Sequence, residues 1–477
     1  MIVGFGREKA YVVTLALALV ALIAFGVVVV RDYGDSGSRR GEVARLAVAG
    51  SDPAVAALPD SAAPAAGQPG GAPSSGAAGP APVRAGGTGA ITQPQRSDPR
   101  TGGGGAVVPR VPGGTSPACV DGRIRIGQID AITGPLTMQT AANATAAYFK
   151  KVNSEGGING CQVDFTYLDD GGLDQQKGAA DARELVQADN VFAVVGGFAP
   201  ITSETTEPYF RKAGVPVVGV DGVGLAEYNS PVEYSFAISP QGFGIATANM
   251  AHRLGKRRLA VFYVDIDVTI VSFEELKKQA AINGQEIVYS NAENIASATY
   301  GTDVVAARNA NPDVVINILD ANSAVREINA MSSNNWYPDL VGTTSSADPV
   351  VIQQGAPWLS NPNHQVHVLR CYLPANANTP EVREWLETQG KYFPGFDPNA
   401  YAEGSWMAAK IFTDIARRLG PGLTRASLMG ALNSLHDYHT GFTPDITMTP
   451  DHGPNKQALW MRWDGSQFTQ VLPFAPW

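Results

Sequence analysis

The chain has 477 residues, 44% of them hydrophobic and 17% charged, with a net charge of −9. That length suits more than one domain, or one two-lobed unit with accessories. The acidic balance argues against a nucleic-acid partner, which needs a basic stripe for phosphates, and the three cysteines show no zinc-ligand spacing.

Residues 1–10 form a head too short for a domain. Tyr11–Val30 is apolar but for Thr14 and long enough to cross a bilayer as a helix. The run ends at Val29–Val30–Arg31, a poor cleavage site, and the first small-residue option, Ala47–Val48–Ala49, lies well downstream. The segment reads as an uncleaved signal anchor, with a cleaved signal peptide as the alternative. Residues 31–118 are rich in Ala, Gly, Pro and Ser, with no aromatic after Tyr33, which is the composition of a disordered linker. A coil of that length would span roughly 50 Å root-mean-square.

From Cys119 onward, strand and helix signals alternate. Apolar runs of strand length are Ile124–Ile129, Val163–Leu168, Val191–Val195, Val215–Val218, Leu259–Val264, Ile287–Tyr289, Val314–Ile318 and Val366–Leu369. Amphipathic stretches between them include Ala141–Val152, Asp174–Gln187, Ile201–Ala213, Gln241–Leu254, Val271–Asn283, Thr302–Ala310 and Ser323–Ser332. Near-continuous apolar strands between helices predict α/β structure, with parallel sheets covered on both faces. The strands are too many for one sheet, and Tyr234–Pro240 reads as a crossover between two Rossmann-like lobes. Helices are expected at Glu381–Phe393, Ala400–Leu419 and Arg425–Asn433, and closing hairpins at Asp451–His452–Gly453 and Asp464–Gly465.

One stretch is more specific. A helix stops at Gly156–Gly157, Ile158–Asn159–Gly160–Cys161 turns, and Gln162–Leu168 runs into Asp169–Asp170. With Ile124–Ile129, Thr133–Gly134–Pro135–Leu136 and the later phrase Asn399–Ala400–Tyr401–Ala402–Glu403–Gly404, it resembles the type I periplasmic binding proteins of the leucine/isoleucine/valine-binding class. The resemblance covers residues 119–477. It implies one lobe at about 119–237 and 373–440, a second at about 241–366 and 443–477, and three hinge crossovers. It also implies no cofactor and a solute carried to an ABC permease, with the binding domain outside the cytoplasm and held at the cell membrane by the N-terminal helix. The alternative is a tethered ligand-sensing ectodomain working with a partner signalling protein.

In such folds the solute lies beyond the carboxyl ends of the strands. The candidate contacts are Phe198, Thr202, Asp221, Asp265, Thr344 and Tyr401. Relatives hold an α-carboxylate with a hydroxyl pair whose positions here are Ala199–Pro200, and with a threonine that becomes Val223. Leucine, isoleucine and valine should therefore bind poorly. The aspartates at strand ends (Asp130, Asp169, Asp170, Asp221, Asp265, Asp267 and Asp320) suggest an acidic cleft for an amine, polyol, amide or other amino-acid-like solute, although aspartate also caps helices. Cys119 and Cys161 precede two strands expected to be parallel neighbours, so they should pair and leave Cys371 as a buried thiol. No serine-hydrolase, zinc-protease or nucleotide-binding motif occurs, and an enzyme is not expected. The pairs His364/His367 and His436/His439 sit in interrupted sequence and do not suggest a metal.

Overall fold

The protein is described from a computed structural model, which covers residues 116–220, 224–228, 230–448 and 456–477. Tyr11–Val30, nearly all of the linker, Asp221, Val223 and the turn at Asp451–Gly453 lie outside the described residues. Among the described residues, no helix is long and apolar enough to cross a membrane.

The first sheet contains β1 (Arg123–Asp130), β2 (Gln162–Asp169), β3 (Ala193–Val195), β4 (Val217–Val220) and β5 (Glu233–Ser235), in the order β2-β1-β3-β4-β5. All its pairings are parallel. β1 and β2 run in register from Arg123↔Gln162 to Asp130↔Asp169. Between them, α1 (Gln139–Ser154) ends where Gly157 adopts φ 80°, and a Cβ there would strike the Cys161 carbonyl. Only glycine fits that stop. Cys119 and Cys161 form the expected disulfide, with Cα atoms 6.1 Å apart, and Cys371 is a buried free thiol.

The second sheet contains β6 (Arg258–Val264), β7 (Glu286–Glu293), β8 (Val314–Ile318), β9 (Leu340–Gly342), β10 (Val366–Arg370), β11 (Gln457–Trp463) and β12 (Phe468–Pro476). Its order is β12-β11-β10-β9-β8-β6-β7, parallel except for the last hairpin, which returns antiparallel onto β10. β8 is buried at every residue, as a central parallel strand requires.

Helices cover both sheets. α2 (Gln175–Arg183) and α3 (Ser203–Ala213) pack together beside the first sheet, and α4 (Pro240–Arg253) with α5 (Asp267–Ile282) beside the second. α6 (Gly301–Asn309), α7 (Ala321–Ser333) and α8 (Pro349–Leu359) complete the second layer. After β10 the chain returns, so that α9 (Pro380–Tyr392) and α10 (Ala400–Leu419) pack on α1, with α11 (Arg425–Asn433) against α10. The chain thus crosses between layers three times: after β5, after β10, and between α11 and β11. β5, β9 and α8 are additions to the elements expected from sequence.

Candidate functional site

In a sheet ordered 2-1-3-4-5, neighbouring connections diverge between the first and third strands and leave a crevice at the carboxyl edge. The first sheet has that crevice between β1 and β3. The second repeats it between β6 and β8, since β7-β6-β8-β9-β10 has the same winding. A cavity of about 110 Å³ is lined by loops from both edges. Leu136, Met138, Phe198 and Pro200 come from the first layer; Val264, Ile266, Ile295 and Leu319 come from the second. Phe243 of α4 and Tyr372, just past β10, also line it.

Two further contacts join the layers at the cavity. Tyr401 Oη lies 2.8 Å from Ser345 Oγ, and Asn322 Nδ2 donates to the Pro135 carbonyl at 3.2 Å. The Phe198 and Tyr401 rings meet edge to face with centroids 4.5 Å apart. Asn399 caps α10 by accepting from the Ala402 amide, which fixes Tyr401 in the first helical turn.

Of the residues singled out from sequence, Phe198, Thr344 and Tyr401 line the cavity. Thr344 Oγ1 donates to the Leu369 carbonyl at 3.2 Å. Thr202 is buried away from the lining, and its hydroxyl donates to Asp170 Oδ2 at 2.6 Å. Asp265 is exposed, outside the lining, and its amide donates to the Glu293 carbonyl at 2.8 Å. Asp221 lies outside the described residues. Sequence reasoning did not single out Phe243, Ile295 or Tyr372. Ile295 and Tyr372 lie two residues past β7 and β10 and Phe243 lies inside α4, and no local pattern marks any of them.

Among the described residues the cavity wall is apolar rather than acidic, and Asp130, Asp169 and Asp170 are spent on holding loops. Asp169 accepts from the Ile132 and Thr133 amides at 3.0 Å and from the Thr133 hydroxyl at 2.6 Å. Burial pushes its carboxyl up, but these bonds outweigh that and hold it below the usual range. Asp170 accepts from the Gly172 amide at 2.7 Å, and burial raises it. Together they shape the loop that presents Leu136 and Met138. Asp130 is fully buried, accepts from the Phe198 amide at 2.9 Å and from Gln128 Nε2 at 2.9 Å, and is pushed by burial up to about 8. Of the six aspartates among the described residues, Asp320 alone lines the cavity, and it caps α7 by accepting from the Asn322 and Ser323 amides.

Pro200 lines the cavity, and it has no N–H to donate. Among the described residues, no group of three or more His, Cys, Asp or Glu could hold a metal ion. His367 is buried in β10, and burial pushes it down to about 4.

A family model described as "Periplasmic binding protein" matches residues 123–467. A comparison with curated proteins found no matching sequence. Among solved structures, a possible leucine/isoleucine/valine-binding protein from Rhodopirellula baltica SH 1 superposes with a TM-score of 0.66 at 15% identity, covering 73% of this chain and 96% of its own. A fatty acid ABC transporter substrate-binding protein from Thermomonospora curvata gives 0.66 at 17% identity, covering 76% and 95%. A solute-binding protein of an ABC transporter from R. palustris, in complex with benzoate, gives 0.64 at 15%, covering 74% and 97%. The matched span takes in the first sheet, all of the second but β12, and every residue that lines the cavity, and the chain belongs to the periplasmic binding protein family, with the fold of its type I, leucine/isoleucine/valine-binding class.

Proposed function

We propose that the chain is an extracytoplasmic solute-binding protein that captures a small, largely apolar solute and hands it to an ABC-type importer. The observation that carries this reading is the cavity formed where two sheet switch points face each other. Phe198, Thr344 and Tyr401 contact the solute, while Thr202 acts through Asp170 on the loop beside it. Bound solute favours the closed arrangement by adding contacts to both layers at once.

The Cys119–Cys161 disulfide supports an oxidising compartment. Tyr11–Val30 serves as a single-pass anchor and the following linker as a tether long enough to reach a permease. The apolar wall and Pro200 together support weak binding of free leucine, isoleucine and valine.

Thermal-shift screening of the full-length protein against a solute panel tests the binding. Apolar single-ring or short-chain solutes should raise Tm, and branched-chain amino acids should not. Micromolar binding of a branched-chain amino acid, or no response to any apolar solute, counts against the reading. Membrane fractionation with N-terminal sequencing tests the anchor: a start near Gly50 on protein released to the medium would show cleavage instead.

A further inference from the structure

We propose that the solute carries a hydrogen-bond donor, an amine or a hydroxyl, on its apolar body, and that Asp320 selects it against carboxylates. The proposal rests on the solute-binding reading above and adds the chemical class of the solute.

The charges at the cavity point one way. Among the described residues that line it, Asp320 is the one charged side chain, and there is no Lys, Arg or His. Asp320 Oδ1 is committed to the start of α7, at 2.9 Å from the Asn322 amide and 3.1 Å from the Ser323 amide. Its Oδ2 is buried and has no hydrogen-bond partner. A carboxylate oxygen that has lost water and gained no donor is costly, and a donor brought by the solute relieves that cost.

Three of the hydroxyls that line the cavity point the same way. Thr269 donates to the Val264 and Ile266 carbonyls, Ser272 to the Val268 carbonyl and Thr344 to the Leu369 carbonyl. Their protons are spent inside the protein, so toward the cavity these three can only accept. A solute that brings donors is complementary to these three oxygens; a solute that brings only acceptors is not.

Helix starts usually supply the missing donors for an anion. Here the starts of α4, α7 and α10 are already capped by Ser239, Asp320 and Asn399. The start of α5 lacks a side-chain cap but carries Asp267 in its first turn. The start of α1, after Met138, and the short 3-10 turn after Thr343 have neither a side-chain cap nor an acid, and they are where a carboxylate would bind if the proposal is wrong.

Three probes share one body and differ in their head group: 2-phenylethylamine, 2-phenylethanol and phenylacetate. Calorimetry on the full-length protein should rank them amine, alcohol, acid, with the acid weaker than the amine by roughly tenfold or more. Asp320→Asn keeps an oxygen for the helix cap and should weaken the amine by about tenfold while narrowing its gap to the acid. Phenylacetate binding as tightly as the amine, or a ranking unchanged in Asp320→Asn, overturns the proposal. The wild-type ranking decides it even if the variant fails to fold. Binding of the alcohol and acid without the amine removes Asp320's role and leaves the solute-binding reading standing; no response to any apolar solute removes that reading itself.

Discussion

Arg370, the last residue of β10, and Glu403, in the first turn of α10, form an ion pair with almost no access to solvent. The strand belongs to the second sheet and the helix packs on the first, so the pair ties the layers together at a crossing. Burial pushes Glu403 up to about 7 against the pull of Arg370. One oxygen of Glu403 and the Nε of Arg370 have no partner. Arg370→Met should therefore cost about 3–5 kcal/mol at pH 8, because a buried carboxylate is left alone. At pH 5, where Glu403 takes up a proton, the loss should be smaller. Adding Glu403→Gln should recover part of it. Urea denaturation at the two pH values checks all three outcomes.

Asp130 gives a pH dependence of its own. Its folded carboxyl is raised by burial to about 8 from an ordinary 3.8, so the folded state holds the proton more tightly than the unfolded chain. The stability this contributes is complete below pH 4 and is lost as pH rises toward 8. Gln128 Oε1, beside it, lacks a partner, and a turned amide would let it accept the Asp130 proton. Asp130→Asn should therefore flatten the fall in stability between pH 4 and 8 with little loss at pH 7. Asp130→Ala should cost about 1–3 kcal/mol by orphaning the Phe198 amide. Denaturation curves across that pH range separate the two.

The Tyr401–Ser345 contact should matter more to closure than to folding. Tyr401→Phe keeps the ring against Phe198 and removes a hydroxyl bond across the cleft. A neutral bond of this kind contributes about 0.5–1.5 kcal/mol, so affinity for the best solute should fall by roughly 2–13-fold, with Tm of the unliganded protein nearly unchanged. Ser345→Ala should do the same, and the double variant should add little. Calorimetric titration of the four proteins would show it.

Reduction should destabilise the first layer. The Cys119–Cys161 bridge closes a loop of 42 residues, which contributes roughly 4 kcal/mol in the chain-entropy model. Cys119→Ser should lower stability by up to that amount. Non-reducing peptide mapping of the wild type should return the 119–161 pair and leave Cys371 unlabelled until the protein unfolds.

The turn at Gly156–Cys161, the central strands and the ends of α10 were legible because each is set by local chemistry: glycine at positive φ, continuous apolar runs, an asparagine cap. β9 was not, since Leu340–Val341–Gly342 is three residues long and differs little from an apolar loop. β5 was missed because Glu233, a buried acid, interrupts its signal. The aspartates at strand ends were legible as aspartates but not in their purpose. Whether such a group faces a solute or ties down its own loop depends on amides up to 68 residues away, such as that of Phe198 on Asp130. The apolar wall is assembled from six or more separate loops and helices, and no local pattern announces it.

The apolar cavity also has a thermal consequence. Removing its surface and that of the solute from water makes the heat-capacity change of binding negative. The enthalpy of capture then becomes more favourable on warming while its entropy becomes less so, and affinity passes through a shallow maximum instead of falling steadily with temperature. A solute held in such a cavity should therefore show a temperature dependence of affinity that curves and does not run straight.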